Sequence, residues 1–382
     1  MEILDEGIRQ QDDRLPLGQD DWFRFLCLAI LLIGTGLASL YSASSFFAVS
    51  KGLPAAYFFK KQAIFALAGL VLGLIMQPLP FEKIAKLSAF PLVGCAYLLM
   101  FLTLFTHFGV ESLGARRWIS LGPIPSFQPS EVVKLATICF IPALMELSLE
   151  KWVKDYLALF VVLSFSVLIL MQRDYSTSVL YLAVNLLLCI MIGVSWKRLL
   201  SVLVFLPVPA AGLLLSEKYR LLRVVSFLFP SLDHQGINYQ MSNSLKAIGS
   251  GGLLGKGIGQ GIYKLGRLPE VHNDFIISNI GEETGLIGIA FVCFLFLCYA
   301  YFGLKASSRE ADNENLFFSR FLLGVTLMVV FQALVNLMVC TGLLPPTGIP
   351  LPFFSQGGTN LLIVIFESSF ILKGLRETEG AL

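Results

Sequence analysis

The chain has 382 residues, of which 56% are hydrophobic and 14% are charged, and its mean hydropathy is +0.76. Soluble domains carry about a quarter charged residues, so this composition excludes an ordinary soluble protein and predicts an all-α polytopic membrane protein. The formal net charge of +2 is too small to indicate a nucleic-acid-binding protein.

The N-terminal stretch does not resemble a secretory signal peptide. Residues 1–21 are polar and mostly acidic, which is wrong for the basic start of a signal, and the apolar run 23–43 is longer than a signal's hydrophobic segment. We therefore predict a cytoplasmic N-terminal tail over 1–21, a membrane domain over 22–375 and a cytoplasmic C-terminal tail over 376–382.

Repeated apolar runs of about 20 residues predict ten membrane-spanning helices. The fifth, sixth and seventh are nearly continuous and are separated only by short polar runs at 172–174 and 195–198. We place the ten helices at about residues 22–45, 57–78, 88–108, 129–148, 155–171, 174–194, 198–215, 275–303, 317–341 and 355–375.

Lysines and arginines are distributed unevenly between the two sides of this arrangement. With the N-terminus inside, the cytoplasmic segments hold fourteen of them and the short outer loops hold six. Because short cytoplasmic loops are enriched in these residues, we predict that both termini are cytoplasmic. The polar, Gly-rich segment 216–274 then forms a large extracytoplasmic loop, too long to be a mere connector.

The glycine run 249–257 in this loop resembles a phosphate-binding loop, but three observations exclude nucleotide binding. No Ser or Thr follows Lys256, no strand precedes the run, and there is no ATP on the outer side of a bacterial membrane. The glycines instead permit tight turns and close approach of the backbone, either to the membrane surface or to a ligand. A reaction on this side must draw its driving force from its substrate, for example a lipid pyrophosphate.

Two ionisable residues lie near the outer end of the fourth predicted span. Glu131 and Lys134 are three residues apart and share a helix face, one to two turns into the membrane. Charged groups at this depth are costly and face a cavity or a partner. We consider two interpretations, a mutual ion pair that stabilises the bundle and a polar lining of a cavity.

Three carboxylates accompany the start of the eighth span. Asp274 immediately precedes the apolar run, where it can cap the helix N-terminus or act as a base towards a hydroxyl, and spacing does not distinguish these roles. Glu282 and Glu283 follow about two turns later. Burying both as charges would be costly, so we expect at least one of them to meet a cation or a polar cavity.

Three further features have chemical interpretations. Arg116 and Arg117 in an outer loop offer planar guanidinium groups that suit phosphate. Gln332 and Asn336 are four residues apart inside the ninth span, where we expect hydrogen bonds between helices. The proline-rich apolar loop 344–355 predicts a shaped re-entrant or interfacial element.

The sequence gives little support for a metal site. The seven cysteines all lie in apolar runs without a CxxC spacing, which is typical of small apolar residues in a core. The three histidines, His107, His234 and His272, are far apart in the sequence. We predict no metal site and no certain cofactor, and we leave a divalent cation open.

Six motifs in order resemble the SEDS family of shape, elongation, division and sporulation proteins, of the FtsW and RodA type. The resemblance covers about residues 30–375, and it rests on GARRWI at 114–119, QPSEVVKLA at 128–136, KAIGSGGLLGKGIGQG at 246–261, LPEVHNDFI at 268–276, IGEETGLIG at 280–288 and LPPTGIPLPFFSQGGTNLL at 344–362. The segment KLGRLPEVHNDF is closer to the FtsW type and GLLPPTGIPLPF to the RodA type, and we favour the FtsW type.

The resemblance implies ten spans, a large outer loop and a peptidoglycan glycosyltransferase. Such an enzyme polymerises lipid II outside the cytoplasmic membrane, during division or elongation, with a class B penicillin-binding protein and other division proteins as partners. Asp274 matches the family's essential Asp and would be the general base on the acceptor hydroxyl. The candidate substrate-binding residues are Glu131, Lys134, Arg116, Arg117, Lys246, Lys256 and His272. Basic residues among them would stabilise the departing pyrophosphate.

Three positions depart from the family pattern. Arg173 stands where Pro is usual, Asn273 where Thr is usual and Gln356 where Tyr is usual, so the outer cavity wall is expected to differ while the proposed base is retained. Two competing hypotheses are a transporter of lipid-linked precursors and a division scaffold without activity. The chain lacks the repeated halves common in transporters, and the retained Asp274 motif argues against a scaffold.

Overall fold

The computed structural model of the protein describes residues 20–112, 114–120, 122, 126–204 and 237–380. Outside these ranges lie most of the predicted N-terminal tail, the second half of the predicted seventh span, the first part of the large loop and the last two residues. The described residues form eleven helices: α1 (Asp21–Ser50), α2 (Tyr57–Met76), α3 (Phe81–Phe105), α4 (Pro129–Glu146), α5 (Lys151–Met171), α6 (Tyr175–Ile192), α7 (Trp196–Leu203), α8 (Ile237–Gly251), α9 (Ile276–Asp312), α10 (Leu316–Cys340) and α11 (Gly358–Gly380). Two strands, β1 (Gly109–Ser112) and β2 (Ala115–Ile119), lie between α3 and α4.

Eight of the described helices are long and apolar enough to cross a membrane, namely α1, α2, α3, α5, α6, α9, α10 and α11. They coincide with eight of the ten predicted spans. The fourth predicted span is α4, whose 18 residues include three charged side chains. The seventh begins as α7 and is described only as far as Val204. The prediction of an all-helical polytopic membrane protein is confirmed.

Short local signals divide the apolar stretch that contains the fifth, sixth and seventh spans. Between α5 and α6, Arg173 adopts a left-handed conformation with φ 62°, and the Asp174 side chain accepts the Thr177 N–H as an N-cap. α6 ends at Gly193, whose φ of 92° suits a residue without a Cβ. The two predicted breaks are therefore present, and each has a capping residue.

Two buried apolar clusters hold the helices together. One joins α1, α2, α9, α10 and α11 and contains the fully buried rings of Phe25, Tyr299 and Phe370, while the other joins α3 to α6 around Phe165 and Tyr181. α10 packs against α9 on one side and against α4 and α6 on the other. It therefore connects the two halves of the bundle, and a site between the halves can be lined by both.

α9 is interrupted by a kink at Gly285, where φ is 71° and ψ is −164°. Glu282 and Glu283 lie just before the kink and are 0% and 4% exposed. Lys256 Nζ lies 2.8 Å from Glu282 Oε1, and Lys264 Nζ lies 2.5 Å from Glu283 Oε1. The expectation that at least one of these carboxylates meets a cation is confirmed for both.

The β1–β2 hairpin has no counterpart among the predicted elements. Its strands pair antiparallel with a register shift between Val110 and Glu111, and Gly114 turns the chain with φ 75°. Strands of four and five residues carry too little alternation to be recognised from sequence, and an isolated hairpin is marginally stable at best. Packing of both strands against α3, and of β2 against α4, stabilises it here.

Candidate active site

A cavity of about 870 Å³ lies between the two halves of the bundle, beside the hairpin. Its walls come from α2, β2, α4, α6, α10, the turn before α9 and the loop that leads into α11. Many of the lining side chains are polar or charged, which is costly within apolar helices unless the groups are paired or functional. Four of the eight predicted site residues line it: Glu131, Lys134, Arg117 and Asp274.

Glu131 and Lys134 form an ion pair that also lines the cavity. Lys134 Nζ lies 2.7 Å from Glu131 Oε1 and donates to Gln332 Oε1 at 3.0 Å, and Asn360 Nδ2 donates to Glu131 Oε2 at 2.9 Å. Both residues are 4% exposed. The pair joins α4 to α10 and α11 and also presents its polar atoms to the cavity. It is therefore both an ion pair within the bundle and part of a polar cavity lining, the two interpretations that the sequence left open.

Asp274 is half-buried and stands on the cavity wall at the turn before α9. Phe275 occupies the N-cap position of α9, so Asp274 lies one residue before that position. Its backbone is fixed by the Asn336 amide, which donates to the Asp274 carbonyl at 2.9 Å. A Cβ placed on Gly348 would lie 3.6 Å from Asp274 Oδ2, so this turn of the proline-rich loop faces the carboxylate.

The proline-rich loop before α11 is largely buried, with Ile349 4% and Leu351 0% exposed, and its description as a re-entrant or interfacial element stays a prediction. Gln332 Nε2 donates to the Pro350 carbonyl at 2.9 Å, and Asn336 Nδ2 donates to the Ile349 carbonyl at 2.8 Å. Gln332 makes the expected hydrogen bond between helices, because its Oε1 accepts from Lys134 of α4. Asn336 instead joins this loop to the turn that carries the carboxylate.

The two adjacent arginines of β2 have different surroundings. Arg117 lines the cavity, donates from Nη2 to the Arg173 carbonyl at 2.7 Å, and places Nε 3.7 Å from Asp174 Oδ2. Arg116 is exposed and lies outside the cavity lining, with Nε 3.8 Å from Glu111 Oε2. Of the two arginines, only Arg117 therefore lines the cavity.

Three further predicted substrate-binding residues do not line the cavity. Lys246 is exposed on α8, and Lys256 is held by Glu282. His272 is buried between the rings of Phe47 and Phe58, at centroid distances of 4.5 and 5.4 Å. Burial lowers the pKa of His272, and the charge of neighbouring Glu270 opposes that shift. The ring therefore packs between two aromatic side chains and does not line the cavity.

Sequence reasoning missed several polar groups of the cavity, among them Lys61, Gln128 and Asn360. Gln128 Nε2 donates to Asp174 Oδ2 at 3.2 Å, which links the start of α4 to the start of α6. Asn360 lies in the family-like motif at 344–362. An amide side chain at the start of an apolar span could have been recognised from sequence as a candidate polar contact within the membrane. No such signal exists for Lys61, because it resembles an ordinary charge at a membrane boundary.

The described residues contain no group of three or more His, Cys, Asp or Glu side chains placed to hold a metal ion. His234 lies outside the described residues. What the cavity offers is a half-buried carboxylate, a guanidinium and a buried ion pair around a space of about 870 Å³. This combination suits proton transfer from a hydroxyl beside an anionic leaving group.

Residues 23–379 match the model of the cell cycle protein family of FtsW, RodA and SpoVE. A probable peptidoglycan glycosyltransferase FtsW of Borreliella burgdorferi is 35% identical over 361 residues, which cover 91% of this chain and 94% of that relative. A protein of the same name from Trichlorobacter lovleyi is 35% identical over 357 residues, which cover 91% of each chain.

Two solved structures are similar over nearly the whole chain. One, from a study of how a peptidoglycan synthase complex coordinates polymerisation and crosslinking, has a TM-score of 0.75 and 27% identity and covers 93% of this chain and 98% of its own. The rod shape determining protein RodA of Thermus thermophilus has a TM-score of 0.65 and 26% identity, with coverages of 93% and 96%. The similarity therefore extends over the membrane domain and is not confined to one motif.

Proposed function

The chain belongs to the cell cycle protein family of FtsW, RodA and SpoVE and is a peptidoglycan glycosyltransferase, and we propose that it polymerises lipid II with Asp274 as the general base. The position of the Asp274 carboxylate carries this proposal. It lines the cavity, is half-buried, and lies at the turn before α9. A carboxylate placed in this way can accept the proton of a hydroxyl that enters the cavity.

In the proposed reaction, a sugar hydroxyl of one lipid-linked substrate attacks the anomeric carbon of another. Asp274 takes the hydroxyl proton as the new glycosidic bond forms. The bond from the anomeric carbon to the pyrophosphate oxygen breaks, and undecaprenyl pyrophosphate leaves with the electron pair. A general base of this kind contributes on the order of 10²–10⁴ to the rate.

Arg117 is the proposed partner of the departing pyrophosphate, because it alone among the predicted basic groups Arg116, Arg117, Lys246 and Lys256 lines the cavity. Its Nε is 3.7 Å from Asp174 Oδ2, and its Nη2 is held by a carbonyl, so the guanidinium is oriented before substrate binds. Oriented cations stabilise developing negative charge without reorganisation during the reaction. Lys61, which also lines the cavity, is a second candidate.

We propose that the cavity opens on the outer side of a bacterial cytoplasmic membrane and that both termini are cytoplasmic. Asp21, at the start of α1, contacts Arg24, Lys305 and Arg309. This basic cluster supports a cytoplasmic location for that end of the bundle. Lys246→Cys should react with a membrane-impermeant maleimide in intact cells, and Asp312→Cys only after permeabilisation. The reverse pattern would contradict the orientation.

We further propose division as the biological setting and a class B penicillin-binding protein as partner. The relatives named FtsW support the first, and the similarity to a chain studied in a synthase complex supports the second. The transporter and scaffold hypotheses receive no such support. Lipid II remains the proposed substrate on the chemical ground that an external polymerisation needs an activated lipid pyrophosphate.

The test of the general base is a series at Asp274, with labelled lipid II and the penicillin-binding partner present. Asp274→Asn keeps the shape of the side chain but cannot accept a proton, so glycan synthesis should fall to background. Asp274→Ala should behave in the same way. Asp274→Glu retains a base displaced by about 1 Å, which can cost roughly 10²-fold in rate.

The matched control is Asp312→Asn, the same chemical change at the exposed far end of α9, which should retain normal activity. Folding is checked by size-exclusion chromatography and thermal unfolding in detergent. Because Asn has nearly the shape of Asp and caps a helix equally well, the Asp274→Asn variant should unfold close to the temperature of the unmodified protein. Near-normal polymerisation by Asp274→Asn would refute the assignment of Asp274 as the base.

A further inference from the structure

The part of the large loop that follows α8 lies against the kink of α9. We call residues 252–265 the strap. The N–H groups of Leu286 and Ile287 donate to the carbonyls of Gly252 and Leu253 at 2.9 and 3.3 Å. A Cβ on Gly255 would lie 2.2 Å from the Glu283 carbonyl oxygen, so the glycines of this segment permit contact between two backbones.

The strap directs its polar groups towards the bundle. Glu282 accepts the backbone N–H groups of Ile262 and Tyr263 at 2.9 and 3.0 Å, in addition to the ammonium group of Lys256. The backbone N–H of Lys256 donates to the Glu282 carbonyl at 3.0 Å. Lys264 Nζ is bound by Glu283 and by the Ser42 hydroxyl of α1, at 2.5 and 2.9 Å.

The opposite face of the strap is apolar and exposed. Leu253, Leu254 and Ile258 are 68%, 79% and 80% exposed, and Ile262 and Leu265 are about half exposed. Five large aliphatic side chains on 14 consecutive residues form a patch rather than scattered surface residues. In water, such a patch would be unfavourable, and solvent would hydrogen-bond the backbone N–H groups without buried carboxylates.

Helix lengths place the strap at one boundary of the hydrocarbon layer. Lys305 contacts Asp21 at the cytoplasmic end, and Leu286 lies 19 residues before Lys305 on α9. At about 1.5 Å per residue, this separation is roughly 29 Å, close to the thickness of a bilayer core of about 30 Å. On α1, Ser42 lies 21 residues after Asp21, about 32 Å by the same rise, and it contacts the strap lysine.

The apolar face of the strap continues the membrane-facing surface of α9. Exposed side chains recur on one side of this helix at helical spacing: Leu286, Ile287, Phe291, Phe294, Leu297 and Tyr301. The backbone of the strap is bonded at the outer end of this stripe, at Leu286 and Ile287. The stripe and the strap therefore form one apolar surface.

We propose that the strap is a lipid-binding element that rests in the outer boundary of the bilayer, with Leu253, Leu254 and Ile258 inserted among headgroups and the upper acyl chains. Backbone polar groups near hydrocarbon must be paired within the protein, and the Glu282 and Glu283 contacts supply that pairing. Ion pairs directed inward and aliphatic groups directed outward make the segment amphipathic. None of the strap residues lines the cavity, so the proposal stands or fails independently of the general base.

The test uses tryptophan fluorescence in nanodiscs that contain brominated phosphatidylcholine, without any partner protein. Ile258→Trp and, as a second reporter, Leu254→Trp are made in a chain whose four native tryptophans are replaced by Phe. Leu297→Trp, on the stripe of α9, is the lipid-exposed reference. Glu111→Trp, on the exposed hairpin, is the aqueous reference.

We expect both strap reporters to emit at shorter wavelength than Glu111→Trp and to be quenched by brominated lipid to an extent comparable with Leu297→Trp. Emission and quenching like those of Glu111→Trp would overturn the proposal. A strap that is unquenched alone and becomes shielded only when the penicillin-binding protein is added would also overturn it, and would assign the surface to a protein partner.

Discussion

The buried pair Glu131–Lys134 gives the sharpest energetic prediction for this protein. Lys134→Met removes the ammonium that lies 2.7 Å from Glu131 Oε1, while Glu131 remains 96% buried. Removing one partner of a buried pair leaves an uncompensated charge and costs about 3–5 kcal/mol. The Asn360 amide still donates to Glu131 Oε2, which places the expected loss near the lower end of that range.

The double variant Glu131→Leu/Lys134→Met separates the cost of an unpaired charge from the value of the pair. Replacing both partners by apolar groups removes the buried charge, so most of the lost stability should return. Recovery should be incomplete, because Gln332 Oε1 and Asn360 Nδ2 each lose a partner, at about 1–3 kcal/mol per buried unsatisfied group. Polymerisation should remain lost, because the cavity loses its buried charges.

The measurement is a double-mutant cycle, with Glu131→Leu as the second single variant, by thermal and denaturant unfolding in detergent, followed by the lipid II assay on each variant. We expect Lys134→Met to be less stable than the double variant. A loss below about 1 kcal/mol for Lys134→Met would show that the pair behaves as an exposed ion pair. Full activity of the double variant would make the pair structural only.

Two further predictions use matched controls within the chain. Arg117→Gln should lower kcat/KM roughly 10- to 100-fold, which corresponds to the loss of a hydrogen bond to a charged group. Arg116→Gln should leave kcat/KM within about twofold, because that side chain lies outside the cavity. Equal effects of the two variants in the lipid II assay would contradict the pyrophosphate role of Arg117. Gly348→Ala and Gly342→Ala both place a Cβ on a residue with φ near 75°, at a cost of about 1–2 kcal/mol each. Only Gly348→Ala should reduce turnover beyond its effect on stability, since only that Cβ faces Asp274 Oδ2, and parallel losses in both variants would argue against this contact.

The candidate site was only partly predictable from sequence. Asp274, Glu131 and Lys134 could be identified because an ionisable residue at the edge of an apolar run is costly wherever the helix packs. The role of Asp274 could not, since a cap and a base occupy the same position in the chain and differ only in where the carboxylate points. The assignment of Arg117 rather than Arg116 depended on the β1–β2 hairpin, which the sequence pattern did not predict. The packing of this hairpin brings Arg117, and not Arg116, to the cavity.

The sequence by itself determined the class, the spans and their breaks, because hydrophobic length and capping residues act over a few turns of helix. It also indicated that at least one of Glu282 and Glu283 meets a cation or a polar cavity, since burying both as charges is costly. Tertiary structure decided which lysines pair with these two carboxylates. It also decided that residues 252–265 lie against the kink at Gly285. Lys264 contacts Glu283 and Ser42, which lie 19 and more than 200 positions away in the chain. Such contacts form only when the packing of whole helices fixes the distance between the residues, and the local sequence does not determine that packing.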